Sequence, residues 1–291
     1  MSVSLNHICS YQSDSVPLKI WNFPGGESGV QIPSLPFRSQ NKGEDSFFLT
    51  WEYSGDHEMM VVAQVVDALR RSEFKNSELI LSLPYLPYAR QDRVCSEGES
   101  HALKVFATWL NSLKFDSVII MDPHSYVAEA VIDNMISIPQ EVRFAEFLSG
   151  RKEGYDILLA PDAGAAKKVE KCRLAHQKMF GSLPEIVVAH KVRKGDEVSV
   201  NFDSTSLQGK KVCVIDDICD GGRTFISLGE HVRATCEPET FDLYVTHGIF
   251  SNIDQLIILA GSERHNISGL FDKIFTANLM NKKVSNYVTT I

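Results

Sequence analysis

Short apolar runs alternate with helical patterns along nearly the whole chain. Leu18–Phe23, Ser46–Thr50, Leu79–Leu83, Ser117–Met121, Ile157–Ala160, Ile186–Ala189, Lys211–Ile215 and Leu243–Thr246 read as strands. Their β-branched and aromatic content, with little polar alternation, predicts strands buried on both faces. Between them, His57–Arg71 places Val62, Val65, Val66 and Leu69 on one helical face. Ala163–Met179 and Thr224–Thr235 are weaker helix candidates of the same kind. Strands alternating with helices imply parallel βαβ units, so the predicted class is α/β with mainly parallel sheets. The pattern breaks near Ser137–Glu141, at Ile138-Pro139, which predicts two halves, 1–139 and 140–291. Lys191–Gln208 is rich in Lys, Arg, Gly, Asp and Ser, and is expected to be a hairpin-like excursion or mobile loop that buries little surface.

Composition narrows the function. The 291 residues are 44% hydrophobic and 23% charged, ordinary for a globular protein and too apolar for a largely disordered one. A net charge of −8 argues against a general nucleic-acid binder, although a phosphate pocket needs only a few cations. No apolar run reaches the roughly 18 residues of a membrane span. Met1 to Asp14 has neither a basic nor an apolar leader segment, so no secretory signal is expected. Six scattered cysteines without a C-x-x-C pair predict reduced thiols in a cytoplasmic compartment.

The densest chemistry lies in Lys211–Phe225, K-V-C-V-I-D-D-I-C-D-G-G-R-T-F. An apolar strand is read as ending in Asp216-Asp217, followed by a glycine loop that opens a helix. Ligands of parallel sheets bind at the carboxyl ends of strands, where such loops gather. Backbone N–H groups of Gly221, Gly222, Arg223 and Thr224 are suited to a phosphate at the positive end of a helix dipole. The carboxylates upstream are suited to two vicinal sugar hydroxyls. A helix cap and a turn glycine would explain D-G-G alone, but an acid pair on a buried strand is costly without a role.

This segment resembles the phosphoribosyl-diphosphate motif of type I phosphoribosyltransferases and of ribose-phosphate pyrophosphokinases. Further stretches select the pyrophosphokinases. Pro84–Arg93, P-Y-L-P-Y-A-R-Q-D-R, is similar to their P-Y-x-x-Y-A-R-Q-D-R. Phe23-Pro24-Gly25-Gly26-Glu27 with Gln31-Ile32 resembles F-x-D-G-E…Q-I, Asp122-Pro123-His124-Ser125 resembles D-L-H-S, and Pro161-Asp162-Ala163-Gly164 resembles P-D-x-G. The likeness runs through about residues 18 to 277 in the family's order.

The resemblance implies two tandem phosphoribosyltransferase-like domains, with an ATP side in 1–139 and a ribose-phosphate side in 140–291. It implies Mg²⁺-dependent transfer of the β,γ-diphosphoryl group of ATP to the C1 hydroxyl of ribose 5-phosphate, giving phosphoribosyl diphosphate and AMP. By resemblance, Phe23, Glu27, Arg90, Gln91, Asp92 and Arg93 serve ATP. Asp216, Asp217, Asp220, Gly221, Gly222, Arg223 and Thr224 serve the ribose phosphate, and Asp162, Ala163, Gly164 and Ala165 form a diphosphate loop. His124 and Asp162 match Mg²⁺ positions, although Mg²⁺ favours oxygen ligands and a histidine is the less natural of the two. Lys191 and Arg193 match the basic pair of a catalytic flap, suited to the charge of a transferring diphosphate. Thr246–Ser251 resembles a strand end with a structural role. The family further implies a homo-oligomer, with no nucleic-acid or membrane partner.

Several positions depart from the family pattern. Ala165 stands at the second glycine of P-D-x-G-G, Arg223 at a glycine of D-T-G-G-T, and Gly25 at an aspartate. Tyr126-Val127-Ala128-Glu129-Ala130 replaces Q-I-Q-G-F-F, and the family's last helix is not expected before the end at Ile291. Because Arg223 adds a cation beside the expected 5-phosphate, a substituted acceptor such as ADP-ribose, as in NAD metabolism, stays open beside ribose 5-phosphate. A phosphoribosyltransferase and a non-catalytic regulator are more distant alternatives: a transferase does not need the ATP-side residues, and a regulator does not need Lys191, Arg193 and the carboxylates. No Walker A, G-x-G-x-x-G, H-E-x-x-H or zinc spacing is present.

Overall fold

A computed structural model describes residues 2–9, 12–34, 45–194, 197–202, 204–261 and 269–291, with the backbone alone for 191–194, 197–201 and 204. The chain forms two units, Met1–Ile138 and Pro139–Ile291.

In the first unit the strands are β1 (Val3–Cys9), β2 (Gln12–Val16), β3 (Lys19–Asn22), β4 (Ser28–Gln31), β5 (Ser46–Trp51), β6 (Glu78–Leu83), β7 (Ser117–Met121) and β8 (Met135–Ile138). The helices are α1 (His57–Arg70), α2 (Ala102–Ser112) and α3 (Val127–Val131). Six strands form one sheet in the order β2-β1-β5-β6-β7-β8. The β5–β8 portion is parallel, and β1 and β2 run antiparallel at its edge. Alternation in β5 sends Phe47, Leu49 and Trp51 into the core, where Val62, Val65 and Leu69 of α1 meet them. The Leu18–Phe23 run is not a doubly buried strand. Among the described residues its β3 pairs with β4 alone, and its residues are exposed or half-buried.

The second unit contains α4 (Gln140–Ser149), β9 (Ile157–Ala160), α5 (Ala166–Phe180), β10 (Glu185–Val188), β11 (His190–Lys194), β12 (Glu197–Asn201), β13 (Lys211–Cys219), α6 (Arg223–Thr235), β14 (Thr240–Gly248), α7 (Ile253–Ala260), β15 (Lys273–Leu279) and β16 (Thr289–Thr290). Its sheet, β10-β9-β13-β14-β15-β16, is parallel throughout. Successive residues feed two cores. Val212, Val214, Leu243 and Val245 meet Leu228, Val232, Leu256 and Leu259 on one face. Leu158, Cys213, Ile215 and Tyr244 meet Phe144, Phe147, Val169 and Cys172 on the other. Helices thus cover both faces, which is why these strands read as continuous apolar runs. The α/β class with mainly parallel sheets is the observed one.

Among its described residues, the Lys191–Gln208 segment forms a hairpin of β11 and β12 and a 3₁₀ turn over Ser204–Leu207. It buries more than its composition predicts, because Leu207 is fully enclosed and Phe202 lies 5.1 Å from the His231 ring of α6. Among the described residues no helix is long and apolar enough to cross a membrane.

Candidate active site

Each unit carries one group of the expected residues. In the first unit, Phe23 and Glu27 stand on the turn between β3 and β4, closed by the Phe23 N–H donating to the Glu27 carbonyl at 2.8 Å. Gly26 takes φ +95°, a conformation that side chains rarely adopt. Phe23 is half exposed and meets Trp21 edge-on at 5.9 Å, leaving ring surface free for a flat partner.

Arg90, Gln91 and Arg93 lie exposed on the loop after β6, with Asp92 buried among them. The loop is pinned by Tyr88, whose hydroxyl donates to Asp56 Oδ1 at 2.5 Å, while Tyr53 donates to the same oxygen at 2.8 Å. Tyr88 sits at φ +62°, a strained position for a bulky residue that this hydrogen bond helps to hold. Burial alone would push the Asp92 carboxyl up. The neighbouring Ser125 hydroxyl, the Arg93 guanidinium at 3.1 Å and His124 outweigh it and hold Asp92 below the usual carboxylate range. His124 is exposed, just past the turn at Asp122 (φ +39°) that ends β7.

In the second unit the remaining residues gather at the carboxyl ends of β9 and β13, which are neighbours in the sheet. After β9, Asp162 Oδ1 accepts the N–H groups of Gly164 at 2.8 Å and Ala165 at 3.2 Å, folding the loop into the start of α5. The acid pair does not end β13, as the sequence reading has it. The strand continues to Cys219, with Asp216 and Asp217 inside it. Gly222 caps α6 at φ +81°, and a Cβ there would stand 3.0 Å from Leu259, so the loop needs glycine at this point. Arg223 is the first residue of α6 and is exposed. Lys191 and Arg193 lie on β11, and their side chains are outside the described residues.

The electrostatics of this second group are asymmetric. Lys168 of α5 reaches Asp217 Oδ2 at 3.1 Å. Burial, then the charges of Asp217 and Asp162, push the Asp216 carboxyl well above the usual range, against the opposing Asp217 N–H and Lys168. A stretch of strand with one carboxylate paired to lysine and one strained is poised to take hydrogen-bond donors or a cation. Among the described residues no three His, Cys, Asp or Glu side chains are arranged to hold a metal by themselves.

The sequence reading overlooked Lys168, Gln140 and Gln255. Lys168 was visible in principle, as a base in the first turn of a helix that follows an acidic loop. Gln140, almost wholly buried, donates to the Asp216 carbonyl at 2.6 Å. The Gln255 Oε1 has no hydrogen-bond partner, and a Cβ on Gly221 would lie 3.6 Å from it. Neither glutamine carries a local sequence signal.

Residues 6–113 match the family model for the N-terminal domain of ribose phosphate pyrophosphokinase. A ribose-phosphate pyrophosphokinase of Pyrococcus furiosus is 28% identical over 239 residues, covering 80% of this chain and 78% of its own. One from Agrobacterium fabrum is 29% identical over 255 residues, covering 84% and 76%. The crystal structure of phosphoribosylpyrophosphate synthetase from Mycobacterium smegmatis matches with a TM-score of 0.70 at 20% identity, over 90% of this chain and 80% of that one.

Proposed function

We propose that the chain is a ribose-phosphate pyrophosphokinase, transferring the β,γ-diphosphoryl group of ATP to the anomeric hydroxyl of ribose 5-phosphate. The observation that carries this reading is the convergence of the Asp162 loop, Asp216-Asp217 and the glycine-capped start of α6 at adjoining strand ends. Such a site offers acceptors for sugar hydroxyls and backbone donors for a phosphate, the two ends of one phosphorylated pentose.

In this reading Asp216 and Asp217 accept hydrogen bonds from the ribose diol. The N–H groups of Gly221–Thr224 hold the 5-phosphate with help from the α6 dipole. The Asp162–Ala165 loop lies against the incoming diphosphate. Phe23 stacks on adenine, Arg90 and Arg93 pair with ATP phosphates, and Glu27, Gln91 and Asp92 orient them. The C1 oxygen attacks the β-phosphorus, the bond from that phosphorus to the α,β-bridging oxygen breaks, and AMP leaves with that oxygen. Lys191 and Arg193 neutralise charge on the transferring group. Positioning and charge stabilisation supply most of the rate in such reactions.

Mg²⁺ fits the residues present. It prefers oxygen donors and commonly binds through one or two carboxylates, substrate phosphates and water, so the lack of a complete protein cage is its ordinary situation. Asp162, whose charge is felt at Asp216, is the natural carboxylate, with His124 on the ATP side. When bound, the ion screens phosphate charge and draws electrons from the transferring phosphorus.

The exposed Arg223 at the α6 start favours a second reading, in which the same transfer is made to a 5-phosphate bearing a further group, as in ADP-ribose. AMP release from Mg-ATP, measured with ribose 5-phosphate and ADP-ribose side by side, tests both readings. Release with neither acceptor would overturn them together.

A further inference from the structure

We infer that Gln140 is a positioning residue for Asp216: its buried amide holds the Asp216–Asp217 peptide out of the sheet ladder and so aims the Asp216 carboxylate at the acceptor. The inference rests on the diphosphoryl-transfer reading and adds a residue that neither the motifs nor the family likeness indicates.

The ladder between β13 and β14 pairs Asp216 with Val245 and Ile218 with His247, passing over the Asp217–Thr246 rung between them. The next ladder repeats the gap, pairing Val245 with Thr276 and His247 with Asn278. A break at the same level in two ladders of a central sheet leaves buried peptide groups that need other partners.

Those partners are side chains. The Asp216 carbonyl accepts from Gln140 Nε2 at 2.6 Å, and the Asp217 N–H donates to Asp216 Oδ1 at 2.9 Å. Both polar groups of that peptide are therefore held by side chains. Thr276 Oγ1 donates to the Thr246 carbonyl at 3.2 Å one strand over. Gln140 Nε2 also reaches Thr246 Oγ1 at 3.2 Å, and its Oε1 faces the Cys172 thiol at 3.9 Å. The amide is anchored on β13, β14 and α5 at once, and Gln140 itself is 1% exposed. A residue at the start of a helix usually faces water, so this inward amide is specific to the strand end beneath the site.

Asp216 Oδ1 accepts the N–H of this same peptide, so the orientation of the peptide fixes where that carboxylate lies. Freed from Gln140, the Asp216 carbonyl would lose the donor that holds it, and the peptide would be free to turn. The Asp216 carboxylate would shift with it. Side chains that orient the groups around a reacting ligand typically cost about 10–100-fold in activity or affinity when removed.

The test compares wild type, Gln140→Met and Gln140→Asn in the full chain, with Mg-ATP and either ribose 5-phosphate or ADP-ribose. Methionine keeps the length without a donor, and asparagine keeps the amide one methylene short. We expect folded variants whose kcat/KM for the acceptor falls by about 10–100-fold while KM for ATP stays within about twofold. A merely structural role would lower the melting temperature and the active fraction but leave acceptor KM and kcat per folded molecule unchanged, and that result overturns the inference. It is also overturned if neither variant folds, since Gln140 is then a requirement of the fold. A wild type that releases no AMP with either acceptor refutes the reaction itself and takes this inference with it.

Discussion

Replacing Asp216 by asparagine is expected to make the protein more stable and less active. The carboxylate is strained by burial and by the charges of Asp217 and Asp162, which push its proton affinity well above the ordinary range. Asparagine keeps an oxygen for the Asp217 N–H that Asp216 Oδ1 now accepts at 2.9 Å, and the Gln140 bond to the main-chain carbonyl is untouched. The substitution removes charge and little else. Relief of strain at a functional site commonly stabilises by about 0.5–2 kcal/mol. For a unit of this size that is a rise in Tm of roughly 1–8 °C.

The pH dependence has a definite sign. A carboxyl whose folded pKa is raised binds its proton more tightly in the native state than in the unfolded one. Its penalty is absent below the unfolded value of about 3.9 and grows as pH rises towards the folded value. The advantage of Asp216→Asn should therefore vanish near pH 4 and grow as pH rises above it, in paired thermal melts with EDTA present to exclude bound cations. The loss of a charge-assisted contact to the acceptor should lower kcat/KM by about tenfold to hundredfold. A variant no more stable than wild type at pH 8, or one with unchanged acceptor kinetics, would refute the reasoning.

Three further outcomes are expected. Lys191→Ala should lower kcat by about 10²–10³ with little change in KM, in steady-state AMP release, if its charge meets the transferring group mainly in the transition state. Arg223→Gly should reduce kcat/KM for ADP-ribose about tenfold to hundredfold more than for ribose 5-phosphate, and an unchanged ratio would remove Arg223 as a selectivity determinant. Glu58 accepts from Trp51 Nε1 at 2.9 Å, the Ser54 N–H at 2.8 Å and the Ser54 hydroxyl at 2.7 Å, so Glu58→Leu should cost about 1–3 kcal/mol in urea unfolding. Burial alone would raise the Glu58 carboxyl, but hydrogen bonds from Ser2, Ser54 and Trp51 hold it low. Its stabilisation should thus be present above about pH 4.3 and be lost as pH falls through the lowered value.

The legible parts of the fold are those with dense apolar runs or a clear helical face. β9, β13 and β14 read as strands because each residue meets a helix layer, and α1 reads as a helix because its valines share one side. The strand Val3–Cys9, paired on both sides by β2 and β5, escapes the pattern because Ser4 and Asn6 interrupt its apolar positions, the alternation of a strand buried on one face. Leu18–Phe23 reads as a doubly buried strand because Leu18, Ile20 and Trp21 are apolar, yet the β3–β4 hairpin leaves Ile20 and Trp21 only half covered. The acid pair looked like a strand end because charge is disfavoured in a sheet. The strand runs on because Gln140 and the Asp216 carboxylate satisfy the peptide that leaves the ladder. Gln140 is 76 residues from Asp216, and no local pattern encodes that contact.

The identity of the products tests the central claim most directly. Purified protein with Mg-ATP and ribose 5-phosphate should yield AMP and a sugar carrying two new phosphates on C1, seen together by ³¹P NMR and mass spectrometry of the same mixture. Formation of ADP with a sugar that gains one phosphate would contradict the account.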